Sequence, residues 1–405
     1  MTARNLWRIL LAALGISVVV VTAFILGRPP TADDPNASSP DATATPHASV
    51  GAPAGGGEAW WVVTPDPADG SPVVHVGTLG GAETATIALA GRGAPAAARP
   101  QPLIPRVVGT TGGLVVTLAG DGSDSVLSAV VASTGEEREL HRSPDLIIDA
   151  GIGGDSLFFL TADGHSGEPL ALWRIPLPDG GVPEPVPGVL DEGAGAAIRL
   201  AAVADWITEL LVSDDGAVVG VHRCVRLRCE LRAANLDTAE SWQIELEFGT
   251  GPVAIFDGFA VLQPACVDVD CRVELLDLAT GERIPAPTAH QGPVFDVAVV
   301  AAPRPAIVTT ADGPLLAPGR GPIAVEVLDI ASLEIRSIVV DLGSLVLPTR
   351  WGSQAGLELP PATILIIGSP PAVGDQVPDD AYYVLDIGDG SVLRVPELGT
   401  FSVNG

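Results

Sequence analysis

Two segments of this chain repeat each other at a fixed offset of 42 residues, and the repeat constrains the fold more than any single motif does. The matching positions are an Asp-Gly turn, two cysteines and a leucine: Asp215-Gly216, Cys224, Cys229 and Leu236, then Asp257-Gly258, Cys266, Cys271 and Leu278. A repeat of about 40–50 residues, rich in short β-forming runs, indicates a unit that buries its apolar faces against similar neighbours. We therefore expect a fold built from repeated small sheets.

From Glu58 onward, short β-forming runs alternate with turn residues, and we interpret them as units of four strands, A to D. The runs assigned to strand B are Ala59 to Val63, Leu114 to Leu118, Leu157 to Leu160, Ala217 to Val221, Phe259 to Leu262, Ala306 to Thr310 and Thr363 to Ile367. Strand C is expected to end near Asn235-Leu236, Asp277-Leu278, Asp329-Ile330 or Asp386-Ile387. The pattern predicts an all-β fold, a single β-propeller of seven four-stranded blades over residues 58–405, with six or eight blades as the alternatives.

The two ends of this domain predict how the ring closes. The first unit, around Trp60-Trp61, has no upstream segment that could supply its inner strand A, while Thr400-Phe401-Ser402-Val403 is left over after the last unit. We expect this C-terminal strand to complete the first blade, because that pairing removes an exposed sheet edge.

The N-terminal residues indicate export and attachment to a membrane. Residues 9–27 form an uncharged apolar run about long enough to cross a bilayer, and Arg4 and Arg8 precede it. We expect a cytoplasmic stub (residues 1–8), a transmembrane signal anchor (9–27) and a Pro/Ala/Ser/Thr-rich disordered linker (28–57), with the propeller outside the cytoplasm. The alternative is cleavage after Val21-Thr22-Ala23, which would release a secreted protein.

Charge and composition exclude several classes of partner. The formal net charge is −28, so the surface repels nucleic-acid phosphates and anionic lipids. We therefore predict no nucleic-acid partner, and membrane contact through the N-terminal helix only. Apolar residues make up 47% of the chain, which is enough for a large core, although aromatic residues contribute only 4%.

Two local patterns resemble known propeller families. His290-Gln291-Gly292-Pro293-Val294, followed by Thr310-Ala311-Asp312-Gly313 and Val327-Leu328-Asp329, resembles a WD40 repeat that lacks the Trp-Asp ending. Asp277-Leu278, followed by Thr280-Gly281-Glu282, resembles quinoprotein-like bacterial propellers. These resemblances imply the fold and a tendency toward interaction surfaces, and they transfer no catalytic residue.

The four cysteines are predicted to form two disulfides, Cys224–Cys229 and Cys266–Cys271. Each pair straddles a B–C hairpin, where residues i and i+5 around a four-residue loop face each other. An exported chain meets an oxidising compartment, which favours disulfides. The alternative is one four-cysteine zinc site between adjacent blades.

A binding surface is expected on the face that carries the B–C hairpins and the D–A connections. Two unusually long hairpins, Asp312 to Pro322 and Pro370 to Asp380, belong to that face together with the cysteine-bearing hairpins. The candidate binding residues are Arg226, Arg228, Asp268, Asp270, Arg350 and Trp351, with the last two assigned to a D–A segment. We predict a non-catalytic binding or scaffold module for a protein or cell-envelope ligand.

The alternative function is an extracytoplasmic hydrolase or lyase acting on a polysaccharide, peptide or lactone. Asp149 and Asp296, on inner strands, are the candidate carboxylates of the central channel. The six histidines lie far apart in sequence, and no metal-binding pair is evident among them. No cofactor or metal site is predicted, with calcium at Asp-rich turns such as Asp121-Gly122-Ser123-Asp124 as the alternative. The sequence leaves enzymatic activity open and favours its absence.

Overall fold

In the computed structural model of this protein, the described residues all belong to one compact unit, Gly55–Phe401. They are residues 58–66, 68, 71–89, 106–121, 124–162, 169–177, 180–190, 206–225, 228–264, 273–287, 297–300, 305–310, 323–342, 344–346, 355–370, 380–398 and 400–401. The predicted stub, anchor and linker lie outside these residues. Within the ranges just given, no helix is long and apolar enough to cross a membrane.

The strands form seven antiparallel sheets, which we number as blades in chain order with strands A to D from the inside out. Blade 1 comprises β25 (Ala355–Leu357), β1 (Ala59–Pro65), β2 (Pro72–Thr78) and β3 (Glu83–Ala88). Blade 2 comprises β4 (Arg106–Thr111), β5 (Leu114–Asp121), β6 (Asp124–Val131) and β7 (Glu137–Ser143). Blade 3 comprises β8 (Leu146–Gly153), β9 (Ser156–Ala162), β10 (Pro169–Pro176) and β11 (Glu184–Pro185).

Blades 4 to 7 follow the same order. Blade 4 comprises β12 (Trp206–Val212), β13 (Val218–Val225), β14 (Arg228–Asn235) and β15 (Ser241–Leu246), and blade 5 comprises β16 (Thr250–Phe256), β17 (Phe259–Pro264), β18 (Glu274–Asp277) and β19 (Arg283–Pro285). Blade 6 comprises β20 (Val297–Val300), β21 (Ala306–Thr310), β22 (Ile323–Asp329) and β23 (Ile335–Val340). Blade 7 comprises β24 (Ser344–Val346), β26 (Thr363–Ser369), β27 (Asp380–Asp386) and β28 (Val392–Arg394). A 3-10 helix, Pro396–Leu398, and β29 (Thr400–Phe401) complete the described elements. The seven sheets confirm the predicted seven-bladed propeller, and all seven predicted B strands occupy the second position of a sheet.

Burial falls from the inside of each blade to its outer edge. Every residue of β9 is buried, because this strand has a neighbouring blade on each of its two faces. In the outer strand β15, by contrast, exposed residues alternate with partly buried ones until Leu246. Central strands therefore read as continuous apolar runs and outer strands alternate, as expected for sheets that stack face to face.

The core consists of apolar clusters that fill the junctions between consecutive blades. Seven such clusters are present among the described residues, one at each junction, including the junction between blade 7 and blade 1. In the last of these, Trp60 of blade 1 packs with Leu365 and Tyr382 of blade 7. Because the cycle of clusters has no break, the ring is closed by the same kind of packing that joins consecutive blades.

The strand that closes the ring is not the one that the sequence predicted. The inner strand of blade 1 is β25, which pairs with β1 through Trp60↔Leu357 and Val62↔Ala355. The C-terminal strand β29 instead pairs with β27 of blade 7. The reason is that β28 is short and pairs only with Tyr383 to Leu385 of β27, so that β29, after the 3-10 helix, pairs alongside Asp380 and Ala381 on the same edge. The prediction of C-terminal closure was therefore wrong.

The C–D turns repeat one conformation. The side chain of Asp277 accepts a hydrogen bond from the Thr280 backbone N–H at 2.8 Å, and Asp329 accepts one from Ser332 at 2.9 Å. Five of these turns place a residue with positive φ at the same point: Gly135, Ala239, Gly281, Leu333 and Gly390. The Asp-Leu-x-Thr-Gly-Glu pattern that resembled other propellers thus forms a side-chain-capped turn, for which Asp and Gly are suited by backbone chemistry alone.

Candidate functional site

The two faces of the ring differ in their connections. Because the strands of each blade are antiparallel, B–C and D–A connections share one face, while A–B and C–D connections share the other. On the second face the connections are short, for example residues 112–113, 154–155, 278–282 and 330–334. On the first face several are long and unequal, including residues 89–105, 186–205, 265–273, 311–322 and 370–379. We call the first face the variable face.

Among the predicted binding residues, Arg228 is described. It begins β14 opposite Val225, next to the B–C hairpin of blade 4, and its side chain is exposed. The other candidate binding residues lie outside the described residues: Arg226, Asp268, Asp270, Arg350 and Trp351. Arg350 and Trp351 lie between β24 and β25, which are both inner strands. Their assignment to a D–A segment was therefore wrong, because β25 leaves blade 7 to close blade 1.

The disulfide between Cys224 and Cys229 is present, as predicted, with the Cα atoms 4.0 Å apart. The two residues face each other across the ladder of β13 and β14. The hairpin is tighter than the expected four-residue loop, since the strands extend to Val225 and from Arg228. Cys266 and Cys271 lie outside the described residues.

A buried histidine lies beside this disulfide. His222 Nε2 is 3.4 Å from Cys224 Sγ, and His222 Nδ1 is 3.4 Å from Glu209 Oε2. His222 is 3% exposed, Cys224 4% and Cys229 1%. The potential ligand atoms of these three residues all lie within 4.8 Å of one another. This cluster is the best-defined group of chemically versatile side chains among the described residues.

Local structure explains how the sequence brings these groups together. His222 and Cys224 are two residues apart on β13, so they lie on the same face of the sheet. Glu209 on β12 is the cross-strand partner of His222, which places the carboxylate next to the imidazole. The sequence analysis compared histidines only with other histidines and missed the cluster. The i, i+2 spacing of His222 and Cys224 within a strand was the signal that could have revealed it.

Asp149, one of the two channel candidates, is bound on several sides. It is 3% exposed, and its Oδ1 accepts hydrogen bonds from Arg106 Nη2 at 2.5 Å and from its neighbour Ala150. Its Oδ2 accepts a hydrogen bond from the backbone N–H of Leu210 at 2.6 Å. These contacts join the inner strands of blades 2, 3 and 4. A bulge in β8 after Ile147 alters the pairing register just before Asp149. The second candidate, Asp296, lies outside the described residues.

A second polar contact joins blades 3 and 4 on the face opposite the variable face. The backbone N–H of Gly154 donates to the carbonyl of Asp214 at 2.6 Å. In the same turn, Ser213 Oγ donates to Asp215 Oδ1 at 2.6 Å, and the backbone N–H of Ala217 donates to the same oxygen. These two hydrogen bonds, the Ser213 one foremost, lower the pKa of Asp215 below its usual value.

The Asp-rich turn considered for calcium shows an ion pair within the described residues. Asp124 Oδ2 lies 3.7 Å from Arg142 Nη1, and Arg142 also pairs with Glu139 at 2.7 Å. A guanidinium this close competes with a cation for the carboxylate, so the geometry around Asp124 suits a salt bridge better than a calcium site.

Comparison with known proteins gives the fold and no activity. No protein-family model matches the chain, and no curated protein matches its sequence. A solved oligogalacturonate lyase in complex with manganese is 15% identical, with 83% of each chain covered and a TM-score of 0.45. A prolyl endopeptidase is 11% identical, with 85% of this chain and 49% of that chain covered and a TM-score of 0.49.

TolB from Acinetobacter baumannii is 10% identical, with 66% of this chain and 61% of that chain covered and a TM-score of 0.35. At such low identity, each of these likenesses concerns the fold alone. The seven sheets and the closed cycle of apolar clusters identify the chain as a seven-bladed β-propeller, with propeller-like proteins among its structural neighbours.

Proposed function

We propose that this protein is a membrane-anchored, extracytoplasmic binding propeller that engages a protein or cell-envelope ligand through its variable face. The observation that carries the proposal is the inequality of the two faces. One face has short, internally hydrogen-bonded turns that repeat from blade to blade, and the other has long connections that differ between blades. Long, unequal loops on a rigid scaffold are the usual construction of a recognition surface.

Two further observations support a binding role over a catalytic one. Both carboxylate oxygens of Asp149 accept hydrogen bonds that join inner strands, so this residue has a structural task. His222 is 3% exposed and lies at the junction between blades 4 and 5, beside Glu209 whose side chain is 16% exposed, so the imidazole offers little surface to a large substrate. The location outside the cytoplasm is supported by the apolar run at residues 9–27 with arginines on its N-terminal side.

The test is quantitative cross-linking on the intact chain in its native membranes. In the test variant, residues 313–322 and 370–379 are each replaced by Asn-Gly, which continues the registers Thr310↔Val325 and Gly368↔Ala381 into two-residue hairpins. We expect the cross-linked partners of the natural protein to be reduced at least about tenfold in this variant, because the loops that make the contacts are gone. Arg228→Glu should reduce the same partners by a smaller factor, since it alters one exposed cation on that face.

The matched control changes exposed carboxylates on the opposite face: Glu240→Gln, Glu282→Gln and Glu334→Gln. This triple variant should keep its partners. Equal loss of partners in both variants, or retention in the loop variant, would contradict the proposal. The location is tested separately, by adding protease to spheroplasts that carry a C-terminally tagged chain. Digestion of the tag in intact spheroplasts supports the extracytoplasmic assignment, and protection refutes it.

A further inference from the structure

We propose that His222, Cys224 and Cys229 form a redox-gated zinc site, which replaces the disulfide when a dithiol reductant reduces it. Glu209 is the residue that orients His222 for this role. The inference is independent of the binding function proposed above, because it concerns a buried cluster inside the junction between blades 4 and 5.

The geometry already brings the ligand atoms together. The histidine nitrogen and the two sulfurs lie within 4.8 Å of one another, and His222 Nε2 is 3.4 Å from Cys224 Sγ. Ligands around a tetrahedral zinc ion, at about 2.3 Å for sulfur and about 2.0 Å for nitrogen, are separated by roughly 3.3–3.8 Å. Small side-chain rotations after the S–S bond opens would be enough to reach this arrangement.

The partners of His222 also fit metal binding. Metal-bound histidines usually donate their second ring N–H to a carboxylate, which fixes the tautomer and the ring orientation. Glu209 Oε2 lies 3.4 Å from His222 Nδ1 and provides that acceptor. In this tautomer the Nε2 lone pair points at the disulfide, which has no proton to donate.

The chemistry balances as follows. A dithiol is oxidised to its disulfide while the Cys224–Cys229 bond takes up two electrons and two protons and becomes two thiols. Zinc then binds the two sulfurs as thiolates and the neutral imidazole, and two protons are released. The negative charges of the two thiolates and of the nearby Glu209 carboxylate offset the positive charge of the zinc ion. Thiolate and imidazole ligands favour zinc over calcium or magnesium, which prefer oxygen.

The experiment uses the full chain in detergent, with Cys266→Ser and Cys271→Ser to remove the other thiols. After treatment with a dithiol and removal of its excess, the reduced chain is titrated with Zn²⁺ against a colorimetric chelator. Co²⁺ replaces zinc in a parallel spectroscopic titration. We expect one zinc per reduced chain, release of two protons and a thiolate-to-cobalt charge-transfer band. The oxidised chain should bind at least about a hundredfold more weakly, because a disulfide offers no thiolate.

Glu209→Gln should weaken zinc binding about 10–100-fold, because the substitution alters the orientation of His222. The cobalt charge-transfer band should persist, because the ligands themselves are unchanged. His222→Gln should weaken binding more and shift the cobalt spectrum. If either variant fails to fold, X-ray absorption spectroscopy is applied to the zinc-loaded Cys266→Ser/Cys271→Ser chain. The proposed ligand set predicts two sulfur atoms at about 2.3 Å and a nitrogen atom at about 2.0 Å from the zinc ion.

Three outcomes would overturn the proposal. They are equal zinc affinity in the oxidised and reduced chains, unchanged affinity after Cys224→Ser with Cys229→Ser, and a cobalt spectrum without a charge-transfer band. An affinity that Glu209→Gln leaves unaltered would refute its orienting role.

Discussion

The junction that closes the ring and the junctions around blade 3 achieve the same result with different interactions. Blades 2, 3 and 4 are consecutive in the chain, and one carboxylate, Asp149, links their inner strands. The ring closes within blade 1, where β25 pairs with β1 almost 300 positions away and tryptophans pack over glycines. Trp61 lies where a Cβ on Gly356 would be, and Trp60 lies 2.5 Å from the Cβ position of Gly77.

This difference shows that the contacts between segments far apart in the chain are of another kind than those between consecutive blades. Next to the tryptophans, Glu358 Oε2 accepts a hydrogen bond from Gly113 N–H at 2.9 Å, and Glu397 Oε1 accepts one from Gly80 N–H. The closure therefore combines large aromatic surfaces with two carboxylates that accept from backbone N–H groups of neighbouring blades: Glu358 binds blade 2, and Glu397 binds blade 1 from the blade 7 side. Closure over a long chain segment loses more chain entropy than local pairing, so its contacts must be correspondingly extensive.

The largest effect is expected from Asp149→Ala. The substitution removes a carboxylate that accepts hydrogen bonds from the buried Leu210 N–H and from Arg106, which also donates to the Ile148 carbonyl, and we expect the free energy of unfolding to fall by about 3 kcal/mol. Urea unfolding measures this loss, and hydrogen exchange should accelerate in β8 and β12. Glu184→Ala, at an exposed carboxylate of blade 3, is the control. Equal losses in the two variants would mean that the polar junction contributes nothing to stability.

A smaller loss, about 2 kcal/mol, is expected from Gly356→Ala, because the new methyl group overlaps the Trp61 ring. Hydrogen exchange should then accelerate in β25 and β1, whose pairing closes the ring, and stay unchanged in β8. Gly109→Ala is the matched control on the inner strand of blade 2, since its new Cβ meets only the end of Ile152 at 3.3 Å. If exchange rises uniformly around the ring instead, the two junctions are not independent units.

The C–D turns of blades 5 and 6 take part in neither of these sets of contacts and serve as a reference. Leu333 has φ +57° at a position where other blades have glycine, so Leu333→Gly should stabilise the protein by about 1 kcal/mol. Gly281→Ala should destabilise it by a similar amount, because no atom lies within 4 Å of the new Cβ and only the backbone conformation opposes it. Thermal unfolding of both variants measures the two changes. Shifts of the same sign would refute the conformational explanation.

The smallest effect is a pH-dependent part of the stability at the turn between blades 3 and 4, at most about 0.5 kcal/mol because Asp215 is exposed and solvent screens its interactions. Because the pKa of Asp215 is lowered in the folded state, its contribution is present above the unfolded pKa of about 3.9 and is lost as the pH falls through the folded value. Ser213→Ala removes the main cause of this shift. The stability difference between the natural protein and this variant should therefore narrow on acidification.

Urea unfolding at neutral pH and at about pH 3 measures this change. Part of the stability difference between the natural protein and the Ser213→Ala variant does not depend on the pH. This part comes from the hydrogen bond that the Val218 N–H donates to Ser213 Oγ at 2.9 Å, which the variant also loses. Ser332→Ala is the control, because the Ser332 hydroxyl accepts from the Glu334 N–H and its loss should not depend on the pH in this range. A difference that widens at low pH would contradict the assignment to Asp215.

The strand pattern was predictable to a large extent. The seven B strands, the ends of strand C and the disulfide at Cys224 and Cys229 all follow from local signals, namely β-forming runs, Asp-containing turns and the i, i+5 cysteine spacing. The closing strand was not predictable in the same way. Ala355–Leu357 is short and weakly patterned, and its pairing with β1 depends on which strand edge is free once the ring has formed.

The candidate sites, too, were predictable from the sequence only where they depend on local signals. Asp149 was recognised as an inner-strand carboxylate, but its contacts with Arg106 and Leu210 arise from two other blades. The cluster of His222, Cys224 and Glu209 depends on the register between β12 and β13, which the sequence does not state. A one-residue shift in that register would have placed Glu209 on the opposite face of the sheet from His222.

The sequence by itself determined the repeat, a count of about seven blades and the pairing of one cysteine pair, because these follow from local strand and turn signals. The tertiary structure alone decided which strand closes the ring, that Asp149 joins three blades, and that a histidine and a carboxylate flank the disulfide. These features depend on contacts between segments far apart in the chain. Such contacts are selected by the packing of the whole ring, where the apolar faces of each blade can be buried only against its two neighbours.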